Sequence, residues 1–425
     1  MHVLLANNLY PPIAAGGAEL VVAYLAEELA KRGHRVTAVS TCAPEMEPAP
    51  TEMRNGVEVI RFFPRNVYWS FTRAGQPAFK RALWHLRDAW NRDAGRRFRA
   101  ILQSAQPDIV HTHVIDGFSA AIWRRARNSL VPVLHTAHDY HLMCPRAFLL
   151  TRDWKLCTRP GALCRGYRAW HLHTTADVDL FASPSRFLLD RHIEAGLRPG
   201  RSAVVRNGIP LPTPRAPRVR MPGEPMRLLL LCRLTVEKGV RVILQAMRHL
   251  PGDVPVELVI AGKGPLEAEV SAAAEQDRRI RFAGFVQGEA KEALLTGADH
   301  LLMPSLWYEN APVAVIEAAA YGLGLIGSRI GGIPEAVEEG RTGVLFEPGD
   351  AAGLGATIRQ LADGSLVLRD FAAQAHAVAE RHSVAGMTDA YLDHYAALAR
   401  RGGAVAPDRA PPPAVALRGK AELGI

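Results

Sequence analysis

The sequence predicts an α/β protein in which two doubly wound parallel-sheet domains face each other across a cleft. Three observations lead to this prediction. Short β-rich runs alternate with helix-length segments from the first residue onward, which is the rhythm of a parallel sheet flanked by helices. A proline-dense segment interrupts this rhythm near the middle of the chain. The length of 425 residues exceeds what one hydrophobic core usually supports.

The first half of the chain begins with a predicted strand, helix and strand. The segment 18–32 has apolar residues at a helical spacing and is followed by Gly33, so a helix is expected to connect the first two strands. The predicted strands of this half are 3–6, 35–40, 57–63, 108–113, 131–136, 180–182 and 203–206.

The second half repeats the alternation after a linker. Six prolines fall between Pro210 and Pro225, a density that neither a helix nor an interior strand tolerates. The predicted strands that follow are 227–232, 256–261, 280–282, 300–303, 325–327 and 344–346.

These patterns predict the domain boundaries. Apolar positions near the end of the chain suit a last helix, which could pack back on the N-terminal domain, and the proline-rich end is expected to be a disordered tail. The expected units are an N-terminal domain over 1–209, a linker over 210–225, a C-terminal domain over 226–383, a helix over 384–401 and a tail over 402–425.

The composition narrows the classes of protein. No apolar run reaches the roughly 18 to 20 residues that span a bilayer, and the start lacks the features of a signal peptide, so a cytoplasmic location is expected. Five cysteines, an odd number, suit a reducing compartment. The net charge of +9 favours an anionic partner. Nucleic acid is not expected, since the basic residues belong to no recognisable reading motif.

Two glutamates bracket a predicted helix start after the strand 300–303. Glu309 lies in the loop before the helix, Pro312 suits its first turn, and Glu317 lies more than a turn inside. The free amide groups of a helix start form an anion site, so a diphosphate could bind there with a carboxylate on either side. A capped helix with one solvated glutamate is the alternative interpretation of this pair.

Two cations follow the first strand of the second domain. Arg233 and Lys238 are expected at the carboxyl end of the sheet, where open α/β folds bind their ligands. Two positive charges at that edge would meet a phosphate group. Solvated surface charges remain the alternative for this pair taken alone.

Two glycine-containing loops offer backbone to a ligand. Gly262 and Gly264 follow a strand, but position 267 is glutamate and not the third glycine of a dinucleotide fingerprint, which argues against an NAD-dependent enzyme. Gly16 and Gly17, with Glu19, occupy the first βα turn across the predicted cleft. A plain helix start remains the alternative there.

Taken together, these residues resemble the family 4 retaining glycosyltransferases, whose GT-B fold has two Rossmann-like domains. The resemblance covers roughly residues 1–400. The glutamate pair of the family corresponds to Glu309 and Glu317, and its basic pair corresponds to Arg233 and Lys238. The glycine-rich loop of the family corresponds to Gly16, Gly17 and Glu19.

The resemblance implies a role for each donor-side residue. Glu309 would bind hydroxyl groups of the donor sugar and Glu317 the ribose, while Arg233 and Lys238 would bind the diphosphate. The other residues implied on the donor side are Gly262 and Gly264, the amides of Asn310 and Ala311, and Phe285 near the base. Direct charge neutralisation by the cations would require no metal and no cofactor.

The resemblance also implies the reaction. His138 corresponds to the histidine of the family near the reaction centre, with Asp139 beside it on the acceptor side, although a single histidine at a strand end is often structural and Asp139 could cap the next segment. The partners would be a nucleotide sugar and a saccharide or lipid-linked acceptor. Similar enzymes make bacterial exopolysaccharides, so polysaccharide assembly with retention at the anomeric carbon is expected.

Three other interpretations bear on partners. Seven basic residues between Pro77 and Leu102 are interleaved with aromatic residues, so this segment is expected either to be an amphipathic helix on the anionic inner face of the membrane or an ordinary solvated helix. Cys144, Cys157 and Cys164 could bind zinc, but their spacing matches no recognised site. A noncatalytic sugar- or nucleotide-binding module on the same fold is the rival functional class.

Overall fold

The protein folds into two parallel α/β sheets flanked by helices, which confirms the predicted fold class. The computed structural model describes residues 1–13, 16–73, 75–197, 200–212, 218, 220–221, 223–368, 377 and 380–402. Among these residues, no helix is long and apolar enough to cross a membrane.

The first sheet has eight strands in the order β3-β4-β2-β1-β5-β6-β7-β8. Its strands are β1 (His2–Ala6), β2 (Arg35–Thr41), β3 (Glu52–Arg54), β4 (Val57–Phe62), β5 (Ile109–Thr112), β6 (Val133–Thr136), β7 (Leu180–Ser183) and β8 (Ser202–Val204). The helices around it are α1 (Gly17–Lys31), α2 (Ala78–Asp88), α3 (Arg92–Ala105), α4 (Ala121–Asn128), α5 (Ala162–Thr174) and α6 (Arg186–Glu194).

The second sheet has six strands in the order β11-β10-β9-β12-β13-β14. Its strands are β9 (Met226–Leu231), β10 (Val256–Ala261), β11 (Ile280–Gly284), β12 (His300–Met303), β13 (Gly324–Ser328) and β14 (Gly343–Phe346). The helices around it are α7 (Val240–His249), α8 (Glu267–Gln276), α9 (Gly288–Gly297), α10 (Val313–Ala320) and α11 (Ala351–Ala362).

The strands follow the apolar runs because the inner strands of a parallel sheet are covered on both faces. All five residues of β1 are buried, and so are the five of β13. Every predicted strand has a counterpart in the structure, with ends that differ by at most two residues. The sequence analysis missed β3, which pairs with β4 antiparallel through a turn at Asn55 and Gly56.

The last helix, α12 (Val384–Gly402), packs against α1 and β5 of the first sheet. The hydroxyl of Tyr395 lies 2.6 Å from His111 Nδ1, and that of Tyr391 lies 3.0 Å from Thr136 Oγ1. The chain therefore crosses back from the second domain to the first. Beyond Gly402, the tail predicted to be disordered lies outside the described residues, as do positions 213–217, 219 and 222 of the predicted linker.

Candidate active site

A cavity of about 340 Å³ opens between the two sheets, where the carboxyl ends of β9 and β12 face the start of α1. Both domains contribute to its lining. The predicted site residues that line it are Gly16, Gly17, His138, Arg233, Lys238, Glu309, Asn310 and Ala311. Those that do not line it are Glu19, Asp139, Gly262, Gly264, Phe285 and Glu317.

Glu309 is the most strongly bound of these side chains. It is 4% exposed, and its Oε1 atom accepts hydrogen bonds from Lys238 Nζ at 2.7 Å, Ser305 Oγ at 2.7 Å and Trp307 Nε1 at 2.8 Å. Lys238 Nζ also lies 5.1 Å from the centre of the Trp307 ring. A buried carboxylate needs such donors, because burial removes the water that would otherwise solvate its charge. The arrangement fixes one charge pair inside the cavity.

Arg233 lines the same cavity, and its side chain is more exposed to solvent than that of Lys238. The Arg233 side chain is 58% exposed, and its Nη2 atom lies 3.7 Å from Glu237 Oε1, beyond hydrogen-bond range. An exposed guanidinium without a tight ion pair can turn towards an anion in the cavity at little cost. The site therefore combines a fixed cation, Lys238, with a movable one.

The loop that carries Glu309 and Asn310 is held by close backbone contacts. A Cβ atom at Gly331 would lie 2.4 Å from the Glu309 carbonyl oxygen, and one at Gly332 would lie 2.0 Å from that of Asn310. Only glycine fits at these two positions. The Asn310 Nδ2 atom in turn donates a hydrogen bond of 2.7 Å to the carbonyl of His138 in the other domain.

Glu317 does not line the cavity, whereas Val313 and Ala314 in the first turn of α10 do. The Oε1 atom of Glu317 accepts a 2.5 Å hydrogen bond from Lys291 Nζ of α9. The structure thus brings Arg233, Lys238 and Glu309 around one cavity, whereas Glu317 lies outside its lining, about one helical turn from the start of α10.

Gly262 and Gly264, which follow β10, lie close to the backbone of residues 232–234. A Cβ atom would lie 1.8 Å from the Cys232 carbonyl oxygen if placed on Gly262 and 2.6 Å from that of Leu234 if placed on Gly264. Both have positive φ angles, 149° and 156°. Their requirement for glycine is therefore explained by packing against the loop that carries Arg233. Phe285 is 55% exposed.

On the other side of the cleft, α1 begins at Gly17. A Cβ atom there would lie 3.1 Å from Val313 Cγ2, so a side chain would press against the opposite domain. Glu19, in the first turn, is 8% exposed. Burial raises the pKa of Glu19, and hydrogen bonds from the backbone N–H groups of Glu19 and Gly16 oppose the shift.

His138 lines the cavity from the loop after β6. Burial lowers its pKa to about 4, so its imidazole is neutral at neutral pH. Its Nε2 atom lies 3.0 Å from His113 Nδ1, a distance at which one ring donates a hydrogen bond to the other. Asp139, the next residue, is half-buried, and burial raises its pKa to about 6.

The sequence analysis missed several residues of the site. Ser305 and Trp307 bind Glu309, Lys291 binds Glu317, and Asn207 lines the cavity. Ser305 and Trp307 precede Glu309 by four and two positions, so their proximity in the chain was a signal that could have been used. Lys291 gave no such signal in the sequence, because it lies 26 positions from Glu317 and only the folded structure brings the two side chains together.

The proposed zinc ligands do not converge. Within the part of the chain that the structure describes, one group of three or more histidine, cysteine, aspartate or glutamate side chains has ligand atoms within 4.8 Å of one another, and it contains Asp88, Asp116 and His141 but no cysteine. Cys144, Cys157 and Cys164 are all free. Their segment therefore provides no preformed zinc site.

The basic segment 77–102 forms two helices, α2 and α3, and not a single amphipathic helix. Trp84 and Phe98 are 2% and 0% exposed. These aromatic side chains pack inside the domain and cannot belong to a membrane-facing surface, contrary to the expectation from sequence. Helix α2 nevertheless exposes other apolar side chains, Phe79, Leu83 and Leu86.

Comparison with known sequences identifies the family. The family model described as Glycosyltransferase Family 4 matches residues 15–212, and the one described as Glycosyl transferases group 1 matches residues 225–364. The chain belongs to the glycosyltransferases of family 4, and it is therefore a glycosyltransferase.

Three relatives illustrate the range of similar proteins. A glycogen synthase of Mycobacterium tuberculosis is 32% identical over 85% of this chain and 86% of its own. An uncharacterised 42.6 kDa protein in the cps region of Klebsiella pneumoniae is 29% identical over 79% of this chain and 87% of its own. A putative colanic acid biosynthesis glycosyltransferase of Salmonella typhimurium is 32% identical over 43% of this chain and 47% of its own.

Solved structures share the fold at lower sequence identity. Anabaena HepE in complex with UDP has a TM-score of 0.68 at 17% identity, over 94% of this chain and 100% of that chain. Sucrose-phosphate synthase of Thermosynechococcus elongatus has a TM-score of 0.73 at 20% identity, over 94% and 99% of the two chains. These similarities concern the two-domain fold.

Proposed function

We propose that this glycosyltransferase moves a sugar from a nucleotide-diphosphate sugar to a saccharide or lipid-linked acceptor, with retention at the anomeric carbon. The observation that supports the proposal best is the buried pair of Lys238 and Glu309 in the interdomain cavity, with the exposed guanidinium of Arg233 lining the same cavity. Cations beside a carboxylate suit a ligand that has both phosphate and hydroxyl groups.

The two cations would stabilise the leaving group. Transfer of the sugar breaks its bond to the diphosphate, and negative charge accumulates there in the transition state. Lys238 would supply a fixed positive charge, and Arg233 would close over the diphosphate. The amides of Asn310 and Ala311, which line the same cavity, would contribute further donors.

The rest of the donor would extend away from the reaction centre. Glu309 would bind hydroxyl groups of the sugar, and Glu317 would bind the ribose after its contact with Lys291 opens. Phe285 would lie near the base, next to the loop that Gly262 and Gly264 shape.

The N-terminal domain would hold the acceptor. The neutral imidazole of His138 lines the cavity from that domain and can donate or accept a hydrogen bond at the reaction centre. Gly16 and Gly17 would leave room for the acceptor beside Glu19. Asp139 would face the same side.

We also propose that the reaction needs no metal ion and no cofactor. The charge that a divalent cation supplies in other transferases would come here from Arg233 and Lys238. A transfer assay with and without chelator tests this directly, with added Mg²⁺ and Mn²⁺ as further arms. Loss of turnover in chelator that either metal restores would refute it.

Thermal unfolding with UDP-, GDP- and ADP-sugars tests the donor class. A donor present at about 100 times its Kd stabilises the folded state by about 2.7 kcal/mol, which raises the Tm by several degrees. The stabilising donor is then offered with saccharide and lipid-linked acceptors, and NMR of the product gives the anomeric configuration. No shift with any nucleotide sugar, or an inverted product, would contradict the proposal.

Polysaccharide biosynthesis is the pathway that we propose. The names of two relatives, one from a cps region and one putatively assigned to colanic acid biosynthesis, support it. Deletion of the gene with analysis of the surface polysaccharide of the cell tests it. An unchanged polysaccharide composition would argue against this pathway.

We propose further that α2 rests on an anionic lipid surface, where a lipid-linked acceptor would be found. Phe79, Leu83 and Leu86 are 69%, 43% and 74% exposed, and their spacing places them along one side of the helix. The exposed basic residues that accompany them on α2 are Lys80, Arg81 and Arg87. Apolar side chains flanked by cations suit an anionic membrane interface.

Co-sedimentation with vesicles tests the contact. Vesicles in which about one third of the lipids are anionic should bind the wild-type protein. The double variant Arg81→Glu/Arg87→Glu should lose most of this binding. Arg248→Glu/Arg281→Glu, a matched double reversal of exposed arginines in the second domain, should retain it. Equal binding by both variants would exclude α2 as the contact.

A further inference from the structure

Three aspartates of the N-terminal domain surround the side chain of His141. Asp116 Oδ1 lies 2.6 Å from the Nδ1 atom of its ring, and Asp88 Oδ2 lies 4.0 Å from the Nε2 atom. The backbone N–H of His141 donates a 2.8 Å hydrogen bond to Asp139 Oδ1. One residue thus contacts or faces three carboxyl groups that come from α2, from the loop after β5 and from the loop after β6.

The two ring nitrogens face different carboxyl groups, and Asp116, whose pKa burial would raise but His141 lowers, forms the close ion pair. A metal ion would instead take one ring nitrogen and draw the carboxylates around that same atom. Burial by itself would lower the pKa of His141, but the charges of Asp116, Asp88 and Asp139 outweigh it and raise the pKa to about 9. The ring is therefore charged at neutral pH.

Burial raises the pKa of Asp88 to about 8, so this carboxyl group is largely protonated at neutral pH, and Asp116 and Asp139 are the carboxylates that face the His141 cation. Burial lowers the pKa of His85 to about 4 and that of His171 to about 3, so both rings are neutral at neutral pH. The Tyr167 hydroxyl lies 3.4 Å from Nδ1. Arg73 contributes a positive charge towards Asp116 and donates a hydrogen bond to the Pro145 carbonyl.

Two of the three carboxylates remain within reach of solvent. The side chain of Asp116 is 23% exposed and Asp139 is half-buried, whereas Asp88 is 2% exposed. Asp139 directly follows His138, which lines the cavity, and the charge of Glu19 also acts on it. Asp116 and Asp139 do not line the cavity themselves, but Asp139 adjoins His138, which does.

We propose that His141 is a positioning residue for the acceptor: its imidazolium holds Asp116 and Asp139 as ionised carboxylates that accept hydrogen bonds from hydroxyl groups of the acceptor sugar. This inference rests on the proposed function and adds the class of acceptor. Because Glu19, Asp139 and Asp116 are all acidic, they suit a neutral sugar with adjacent hydroxyls and repel an acidic sugar such as a uronic acid.

Acceptor kinetics test the role of His141. In His141→Gln the KM for a neutral saccharide acceptor should rise about 10- to 100-fold, the effect of losing a charge-assisted hydrogen bond, while the donor Kd changes less than about twofold. His192→Gln is the matched control, since His192 is a fully buried histidine of the same domain and its pKa is lowered to about 4. An equal rise in both variants, or a rise in the donor Kd as well, would overturn the proposal.

Acceptor choice and pH give two further readouts. The wild-type enzyme should use a glucose-terminated acceptor at least about tenfold better than a glucuronate-terminated one. The acceptor KM of the wild type should rise as the pH passes about 9, the pKa of His141. In Asp116→Asn this rise in KM should begin at a lower pH, because the pKa of His141 loses the support of that carboxylate. This variant also serves as the test if His141→Gln fails to fold. Preference for glucuronate, or a rise in KM that begins at the same pH as in the wild type, would count against the role.

A measurement without turnover separates this inference from the proposed function. In protein labelled with ¹⁵N-histidine, both ring nitrogens of His141 should carry protons at neutral pH and titrate near pH 9, whether or not any donor is found. A neutral ring at pH 7 would overturn the inference, and so would nitrogen shifts that appear on addition of Zn²⁺ and disappear with chelator. Absence of transfer by the wild type would instead refute the proposed function.

Discussion

Replacement of Arg233 by alanine offers the cleanest test of the donor site. The side chain is 58% exposed, and its nearest carboxylate, Glu237, lies at 3.7 Å, beyond hydrogen-bond range. Its removal leaves no cavity but takes away the cation beside the buried Glu237 carboxylate, so the free energy of unfolding should fall by about 1 kcal/mol and the protein should stay folded. Any large kinetic effect then reports on the reaction and not on the fold.

The expected loss follows from the charge at the leaving group. One preorganised donor to a developing negative charge contributes about 2.7 to 4 kcal/mol, which corresponds to a fall in kcat/KM of about 10² to 10³. Because Lys238 remains 2.7 Å from Glu309 in the variant, a residual positive charge stays in the cavity and activity should not vanish.

Initial rates with the identified donor measure the effect, and urea unfolding checks the fold. Arg241→Ala is the matched control, since Arg241 is also 58% exposed and pairs with Glu269 on the surface of α7. The control should keep wild-type kinetics. If Arg233→Ala kept kcat/KM within about threefold of the wild type, the assignment of Arg233 to the diphosphate would be wrong.

Three more predictions concern the loop of Glu309 and the response to acid. Glu309→Gln should lower kcat by about 10² and the free energy of unfolding by about 1 to 3 kcal/mol, because the amide keeps the size of the side chain but leaves Lys238 without its buried charge partner. Glu257→Gln on the surface of β10 is the control for both measurements. Gly332→Ala should destabilise the protein by about 1 to 3 kcal/mol in urea, because its Cβ would lie 2.0 Å from the Asn310 carbonyl oxygen, whereas Gly252→Ala, with open space around it, should be neutral. Burial lowers the pKa of both His192 and His300 to about 4, while an unfolded histidine binds its proton near pH 6.5. As the pH falls from about 6.5 towards 4, the unfolded chain therefore gains protons that the folded chain refuses, and stability should decline by up to about 1.4 kcal/mol per pH unit for each such histidine. A free energy of unfolding that stays constant over this range would contradict the assignment of these rings as neutral.

Much of the fold could be predicted from the sequence because its signals are local. Parallel strands buried on both faces require continuous apolar runs, and the helix between the first two strands shows the 3.6-residue period of one buried face. The strand β3 escaped prediction because it is short, and its three residues are half-buried or exposed. Its pairing depends on the turn at Asn55 and Gly56, a signal that the alternation of strands and helices hides.

The candidate site was predictable only in part. Arg233, Lys238 and Glu309 could be placed at the carboxyl edge of one sheet, since parallel strands all end at the same edge. The sequence did not indicate that Glu309 would be surrounded by donors while Glu317 pairs with Lys291 outside the cavity lining. The direction of a side chain depends on packing between elements.

The largest differences between the sequence-based predictions and the structure concern residues that are far apart in the chain but close in space. Asp88 and His141 are 53 positions apart, yet their side chains lie 4.0 Å from each other, and Trp84 turns into the core from a helix whose other face is exposed. The sequence pattern of α2 does not indicate which face of the helix packs against the rest of the domain.

The order of apolar and polar residues by itself determined two parallel sheets, the edge at which ligands bind, and the cations and carboxylate available there. Only the tertiary structure decided which of these groups share a cavity, how the last helix returns to the first domain, and that His141 is surrounded by carboxylates. The physical reason is that hydrophobic periodicity acts between near neighbours in the chain, whereas burial and Coulomb interactions act between neighbours in space.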